Sequence, residues 1–266
     1  HDNHQLIELG AVGLKYKVVQ NKDIFETVER ELNKALTVDQ LEGVQIKDRV
    51  AFGGAWCMRE YIFPRVTYQI DYGPHALQPK TNIAFRIIVT HSFDGTSSIK
   101  VLSGAIDFFC TNGIIRGEYD QIVQRHTAGL SLPKIGERIA QSLQVFWLQA
   151  DTYRRWAKHV ISPTTAEAVL NSLPDMSERR RDQILERFKQ ECIDRGPTIW
   201  ALYSALTYYA SHSDGAFSIK KTGEDHAALT MHKREVQVNK WVSTKAFRVI
   251  GEGGYAVVDG KIVVGE

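Results

Sequence analysis

The sequence predicts an α+β fold: an antiparallel β-sheet with helices packed on one side, followed by a mostly helical C-terminal half. Three observations predict it. Between residues 44 and 110 the apolar positions recur with period two, in runs rich in β-branched and aromatic side chains. On either side of that stretch the apolar spacing is three to four, the period of a helix. Within it, Phe93-Asp94-Gly95 is a turn signal that joins two runs as an antiparallel hairpin.

GLKYKVVQ (13–20) alternates polar and apolar residues and reads as an entry strand. Asp23 is the expected N-cap of a helix over IFETVERELNKAL, with Glu26 three residues on completing a capping-box pattern. Ile24, Val28, Leu32 and Leu36 fall on one face of that helix. Four strands follow, over 44–52, 58–72, 81–93 and 97–110. Pro64 calls for an edge position or a bulge in the second, because proline has no N–H for the ladder. In the third, Ile83, Phe85, Ile87 and Val89 share one face and Arg86 takes the other.

From 134 to 160 the stripe Ile135, Ile139, Leu143, Phe146, Ala150, Tyr153, Ala157, Val160 defines one long amphipathic helix. Shorter helices are expected near 163–172, 177–194 and 198–211, with Gly196-Pro197 between the last two. YAVVDGKIVVGE closes the chain as a small hairpin around an Asp-Gly turn. The expected organisation is a region 1–160, an α+β core with a basic sheet and the long helix, and a helical C-terminal region 161–266 that ends in that hairpin.

A chain of 266 residues with 43% hydrophobic and 24% charged residues buries a sizeable core. No apolar run approaches the roughly 18–20 residues that cross a bilayer, so no membrane role is expected. Three widely spaced cysteines, Cys57, Cys110 and Cys192, argue for a reducing compartment and against a disulfide framework, which points to the cytoplasm. Cys110 ends an apolar strand and reads as structural. There is no CxxC or HExxH spacing for zinc, and no GxSxG, Walker loop or GxGxxG. Hydrolase, NTPase and dinucleotide chemistry are therefore disfavoured, and no cofactor is expected.

Charge is unevenly spread. Residues 1–43 carry five basic and eight acidic groups, residues 44–160 fourteen basic and nine acidic, and residues 161–266 fourteen of each. A basic middle behind an acidic start suits a polyanion-binding face and head-to-tail self-association. Arg59, Arg65, Arg86 and Lys100 lie on the strands, interleaved with Tyr61, Phe63 and Tyr68. Basic groups for phosphate and rings for base stacking make a single-strand surface. Arg154 and Arg155, with Lys158, project from the long helix away from its apolar stripe, and Arg179–Arg181 open a later helix against its dipole, which calls for a compensating anion or an acidic partner. In CTNGIIRGEYDQIVQRHT (110–127), Asn112-Gly113 is a tight turn whose amides can approach a phosphate, leading to Arg116, Arg125 and His126.

Four pieces of the chain carry a resemblance: GLKYKVVQNKDIFETV near the start, THSFDGTSSIKV in the hairpin, CTNGII after it, and RHT before the long helix. Together and in this order they resemble the phage/plasmid-like family known as domain of unknown function 932. The resemblance implies a bacteriophage, plasmid or prophage setting, among genes of DNA metabolism. The order of helix, antiparallel sheet and long helix is also weakly similar to the cores of single-strand annealing proteins. The expected function is a single-stranded DNA-binding or annealing protein of a mobile element, a homo-oligomer acting without cofactor. Its nucleic-acid contacts would be Arg59, Arg65, Arg86, Lys100, Asn112, Arg116, Arg125, His126, Arg154 and Arg155. Two other classes stay open: a metal-dependent nuclease using Asp94, Asp107 or His126, and a protein-interaction module such as an inhibitor of host defence.

Overall fold

Four long strands carry an α+β fold. β1 (Gln45–Ala51), β2 (Trp56–Asp71), β3 (Lys80–Ser92) and β4 (Ile99–Asp107) lie side by side in that order, each antiparallel to the next. Two short strands share the outer edge of β4: β5 (Gly113–Ile115) along Gly104–Ile106 and β6 (Gln121–Gln124) along Ile99–Leu102. The computed structural model describes residues 8–73, 76–108, 113–115, 121–124, 126, 133–212 and 226–264.

The helices are α1 (Asn21–Ala35), the single turn α2 (Val38–Leu41), α3 (Pro133–Lys158), α4 (Pro163–Asn171), α5 (Glu178–Arg195), α6 (Ile199–His212), α7 (Ala227–Val242) and α8 (Lys245–Glu252). A terminal hairpin, β7 (Tyr255–Val258) and β8 (Lys261–Val264), turns at Asp259-Gly260. The helices lie mostly in the C-terminal half.

Strand alternation decides the two faces of the sheet. Tyr61, Phe63, Ile83, Phe85 and Ile87 point to one face and are all buried, under α1 and α3. Each such side chain contributes roughly 1.5–3 kcal/mol on burial. The same core takes residues from both sides of position 160, from Val19 to Ile250. The opposite face carries Met58, Ile88 and Leu102, and α7 covers it with Leu229, Met231 and Val236. Helices therefore lie on both faces of the sheet.

Pro64 does what its missing N–H requires: the register slips between Phe63 and Thr67 against Phe85 and Ala84. The hairpin turn after β3 is tied by Asp94, whose Oδ1 accepts from the Thr96 amide at 2.9 Å and the Thr96 hydroxyl at 2.7 Å. Ile24, Val28, Leu32 and Leu36 of the first helical stretch are buried together as their spacing predicts.

Two local expectations change. Residues 13–20 form no strand: Tyr16 N–H turns back to Gly13, and Lys17 N–H makes a lone bond to the His126 carbonyl. Alternation there has no neighbouring strand to pair with. The first helix starts at Asn21 after Gln20, so Asp23 sits in its first turn and is not its cap. The Asn21 side chain is held by His91 Nε2 and donates to Cys57 Sγ at 3.7 Å, which anchors the helix start to the sheet.

Two buried charge networks cross the molecule. Arg86 on the second sheet face pairs with Glu60 and with Glu235 of α7, and Glu60 also pairs with Arg49. Farther along, Asp107 accepts from Arg195 at 2.8 Å and from Thr81 at 2.6 Å, while Glu191 joins Arg195 at 2.7 Å to Arg187. The arginine run at the start of α5 finds its acidic partners in Glu178 and Asp182, both against Arg181, and Arg180 donates to Tyr209 Oη at 2.9 Å.

Candidate nucleic-acid interface

On the strands, the arginines of the sequence reading are paired or buried. Arg59 makes two bonds of 2.7 Å to Asp48, a third to Glu29 at 3.1 Å, and lies 4.0 Å over the Phe25 ring. Asp48, the closest of these, holds its guanidinium firmly charged. Arg65 pairs with Glu42 at 2.8 Å at the surface. Arg86 is 1% exposed, so it is closed to any phosphate and not part of a wet face. Tyr61, Phe63 and Tyr68 are core residues, which closes the sheet as a stacking platform as well. Alternation tells which face a residue takes. It cannot tell that a helix from 150 residues away covers that face.

The CTNG segment is only partly in view: Asn112, Arg116 and Arg125 lie outside the described residues. Gly113 is in β5 opposite Ile106, and its amide donates to Ser211 Oγ at 3.1 Å, so this amide is not offered to a ligand. It is glycine for want of room. A Cβ there would collide with Glu235 Oε1 and Arg86 Nη1.

His126 is buried, stacked on Tyr16 with ring centres 4.7 Å apart. Its Nδ1 faces the Lys17 carbonyl at 3.2 Å, an acceptor only, so Nδ1 carries the proton. Burial lowers its pKa, against the pull of that carbonyl. His91 lies 6.2 Å away, pushed down to about 4 by burial first and by the nearby His126 second. These histidines are inside the fold, away from a surface contact.

The outer side of α3 is different. Its buried stripe, Ile139, Phe146, Ala150, Tyr153 and Ala157, matches the expected one, although Val160 falls beyond the helix end and is exposed. Steps of four, three and four residues place Trp147, Asp151, Arg154 and Lys158 along one outward line, with Arg155 beside it. Trp147 is 43% exposed. Arg154 stands 5.8 Å over the Tyr68 ring, donates to Asp151 at 3.3 Å, and braces on the Gln69 carbonyl at 3.3 Å. Tyr68 in turn lies 6.3 Å from Trp147. Arg155 bonds the Thr152 hydroxyl, and both it and Lys158 sit in the last turn, where the helix dipole favours cations.

A second basic place lies where α7 crosses the rim of the sheet. Lys100 of β4 and Lys233 and Lys240 of α7 line a cleft of about 630 Å³ together with Phe52, Trp56 and His232. Of the strand cations of the sequence reading, Arg59 lines a smaller cleft of about 400 Å³ together with its partners Glu29 and Asp48, and Lys100 reaches this larger one without an acidic partner among the described residues.

The two aspartates of the nuclease reading are not brought together. Asp94 sits in the β3–β4 turn and Asp107 pairs with Ile83 at the far end of the same hairpin. At about 3.3 Å per residue, the length of strand between them is roughly 30 Å or more. Among the described residues no group of three or more His, Cys, Asp or Glu side chains could hold a metal ion. No helix among them is long and apolar enough to cross a membrane.

Sequence reasoning missed Trp147, Phe52, Lys233 and Lys240. Trp147 follows Phe146 of the apolar stripe and reads as its margin. Lys233 and Lys240, seven apart on a helix, carried the spacing of a shared face, but nothing in the sequence pairs that face with Lys100. No curated protein and no solved structure matches the chain. The family comparison agrees with the four sequence pieces: residues 8–240 match the model of the domain of unknown function DUF932, and the chain belongs to that family.

Proposed function

We propose that the protein binds single-stranded nucleic acid, DNA in the setting of a mobile element, without a cofactor and as a homo-oligomer. The observation that carries this reading is the outer line of α3, where an exposed Trp147 stands beside Arg154, Arg155 and Lys158. An exposed ring stacks on any base, and the guanidinium and ammonium groups take phosphates, so such a surface binds strands with little regard to sequence. From Trp147 to Lys158 the helix rises about 16 Å, enough for a short stretch of backbone. Buried Arg86, Tyr61 and Phe63 take no part. Part of the opposite charge of residues 1–43 and 44–160 is neutralised within the molecule, Glu29 by Arg59 and Glu42 by Arg65, and the remainder supplies the attraction for head-to-tail assembly.

The test is fluorescence anisotropy with labelled single- and double-stranded oligonucleotides over a salt series. Single strands should bind more tightly, and Arg154→Ala with Arg155→Ala should flatten the log–log salt slope by roughly 1.4 units if both touch phosphate. Trp147→Ala should weaken binding at every salt concentration, by about 1–3 kcal/mol for one lost stack. Absence of binding at low salt removes this reading. It would favour instead a protein-interaction module, for which the adjacent exposed Trp147 and Leu148 are the supporting observation.

A further inference from the structure

The cleft under α7 is separate from the α3 line and has the features of a built site. Its volume of about 630 Å³ falls within the roughly 300–1,000 Å³ of small-molecule pockets. Elsewhere on the sheet the arginines are neutralised: Arg49 and Arg86 by Glu60, Arg59 by Asp48, Arg65 by Glu42. In the cleft, by contrast, Lys100, Lys233 and Lys240 form no ion pair among the described residues. Asp94 at the rim is already engaged by Thr96.

Two further observations point to a ligand. Phe52 lines the same cleft 41% exposed, with φ of 54°, a left-handed conformation that a bulky side chain rarely adopts. Its ring meets His226 edge-on at 4.1 Å. Backbone strain that holds an aromatic ring open to solvent is a mark of a functional position. His232, 6% exposed, also lines the cleft, and its Nδ1 has no hydrogen-bond partner among the described residues. A buried polar atom of this kind is costly unless something satisfies it.

We propose that this cleft binds a nucleoside phosphate, with the phosphate at Lys100, Lys233 and Lys240 and the base against Phe52 and the apolar wall of Trp56 and Leu229. Inorganic phosphate would leave the aromatic side unused, and a duplex exceeds the volume. A free nucleotide and the 5′-terminal nucleotide of a strand share this chemistry.

Isothermal titration calorimetry on the full chain tests it, with thymidine 5′-monophosphate, thymidine and inorganic phosphate as probes. The nucleotide should bind, with thymidine and phosphate each at least about tenfold weaker. Lys100→Ala and Lys233→Ala should each weaken the nucleotide about tenfold. Lys240→Glu, which reverses the charge of an exposed side chain at the cleft, should abolish binding while the thermal midpoint is kept. Arg154→Ala with Arg155→Ala should leave nucleotide binding unchanged, which separates this site from the α3 line. Preference for a 5′-phosphorylated thymidine tetranucleotide over its 5′-hydroxyl form assigns the strand end, and preference for the mononucleotide assigns the free ligand. No nucleotide binding at millimolar concentration overturns the proposal, even if oligonucleotides still bind. So does wild-type affinity in Lys240→Glu, or phosphate binding as tightly as the nucleotide.

Discussion

Arg86 of β3 donates to Glu235 of α7 at 3.2 Å, across 149 positions of sequence, with both side chains 2% exposed. This pair, with Glu60 behind it, fastens α7 to the second face of the sheet. Burying charges is expensive, and a pair is tolerated only while every member keeps its partners.

Glu235→Ala should therefore destabilise strongly. It leaves Arg86 with Glu60 alone, while Glu60 is shared with Arg49. A loss of about 3–5 kcal/mol is expected, read from urea denaturation at neutral pH. A loss below about 1 kcal/mol would show that α7 is held by apolar packing and not by this network.

Gly113→Ala should be destabilising through the same pair. The added methyl collides with Glu235 Oε1 and Arg86 Nη1, which are locked in place by their ion pair. A cost of about 1–3 kcal/mol is expected for such overpacking. In a Glu235→Ala background the methyl has room, so the two changes should be non-additive by more than about 0.5 kcal/mol. Additive costs would place the origin of the glycine elsewhere.

Acid should unfold the protein through two histidines. His91 and His232 are each held down to about 4, His232 by burial first and then by the charges of Arg86, Lys100 and Lys233. Their folded values lie below the ordinary value of 6.5, so the unfolded chain binds protons first as pH falls. The stability these neutral rings allow is whole above pH 6.5. It is lost between there and pH 4, at up to about 1.4 kcal/mol per pH unit for each histidine. Denaturation midpoints measured from pH 7.5 to 4.5 should fall along this window. His91→Gln and His232→Gln should each flatten the slope, and an unchanged slope in both variants would refute the assignment.

The thiols should be inert in the native state. Burial raises the pKa of Cys57, partly opposed by the Asn21 bond, and raises Cys192 to about 11. Few molecules carry the reactive thiolate at neutral pH. Labelling followed by peptide mass analysis should find Cys57 and Cys192 modified slowly in buffer and rapidly in urea. Cys110, read from the sequence as structural, lies outside the described residues and serves as the comparison. Rapid native labelling at Cys57 would mean that the anchor between α1 and the sheet opens easily.

Local rules account for what the sequence determined by itself. Period two set the four strands and their faces, period 3.6 set α1 and the long helix, and Pro64 and Asp94-Gly95 set a bulge and a turn through backbone chemistry that needs no distant partner. The family was legible for the same reason, in short stretches that each keep their own pattern. What only the tertiary structure decided is which polar residues remain available. Arg86, Arg154 and Lys100 look alike in the sequence as cations opposite an apolar stripe. The first is sealed by α7, the second stays at the surface beside Trp147, and the third faces a cleft shared with Lys233 and Lys240. Solvent access and charge compensation depend on contacts between residues more than a hundred positions apart, and no local period encodes them.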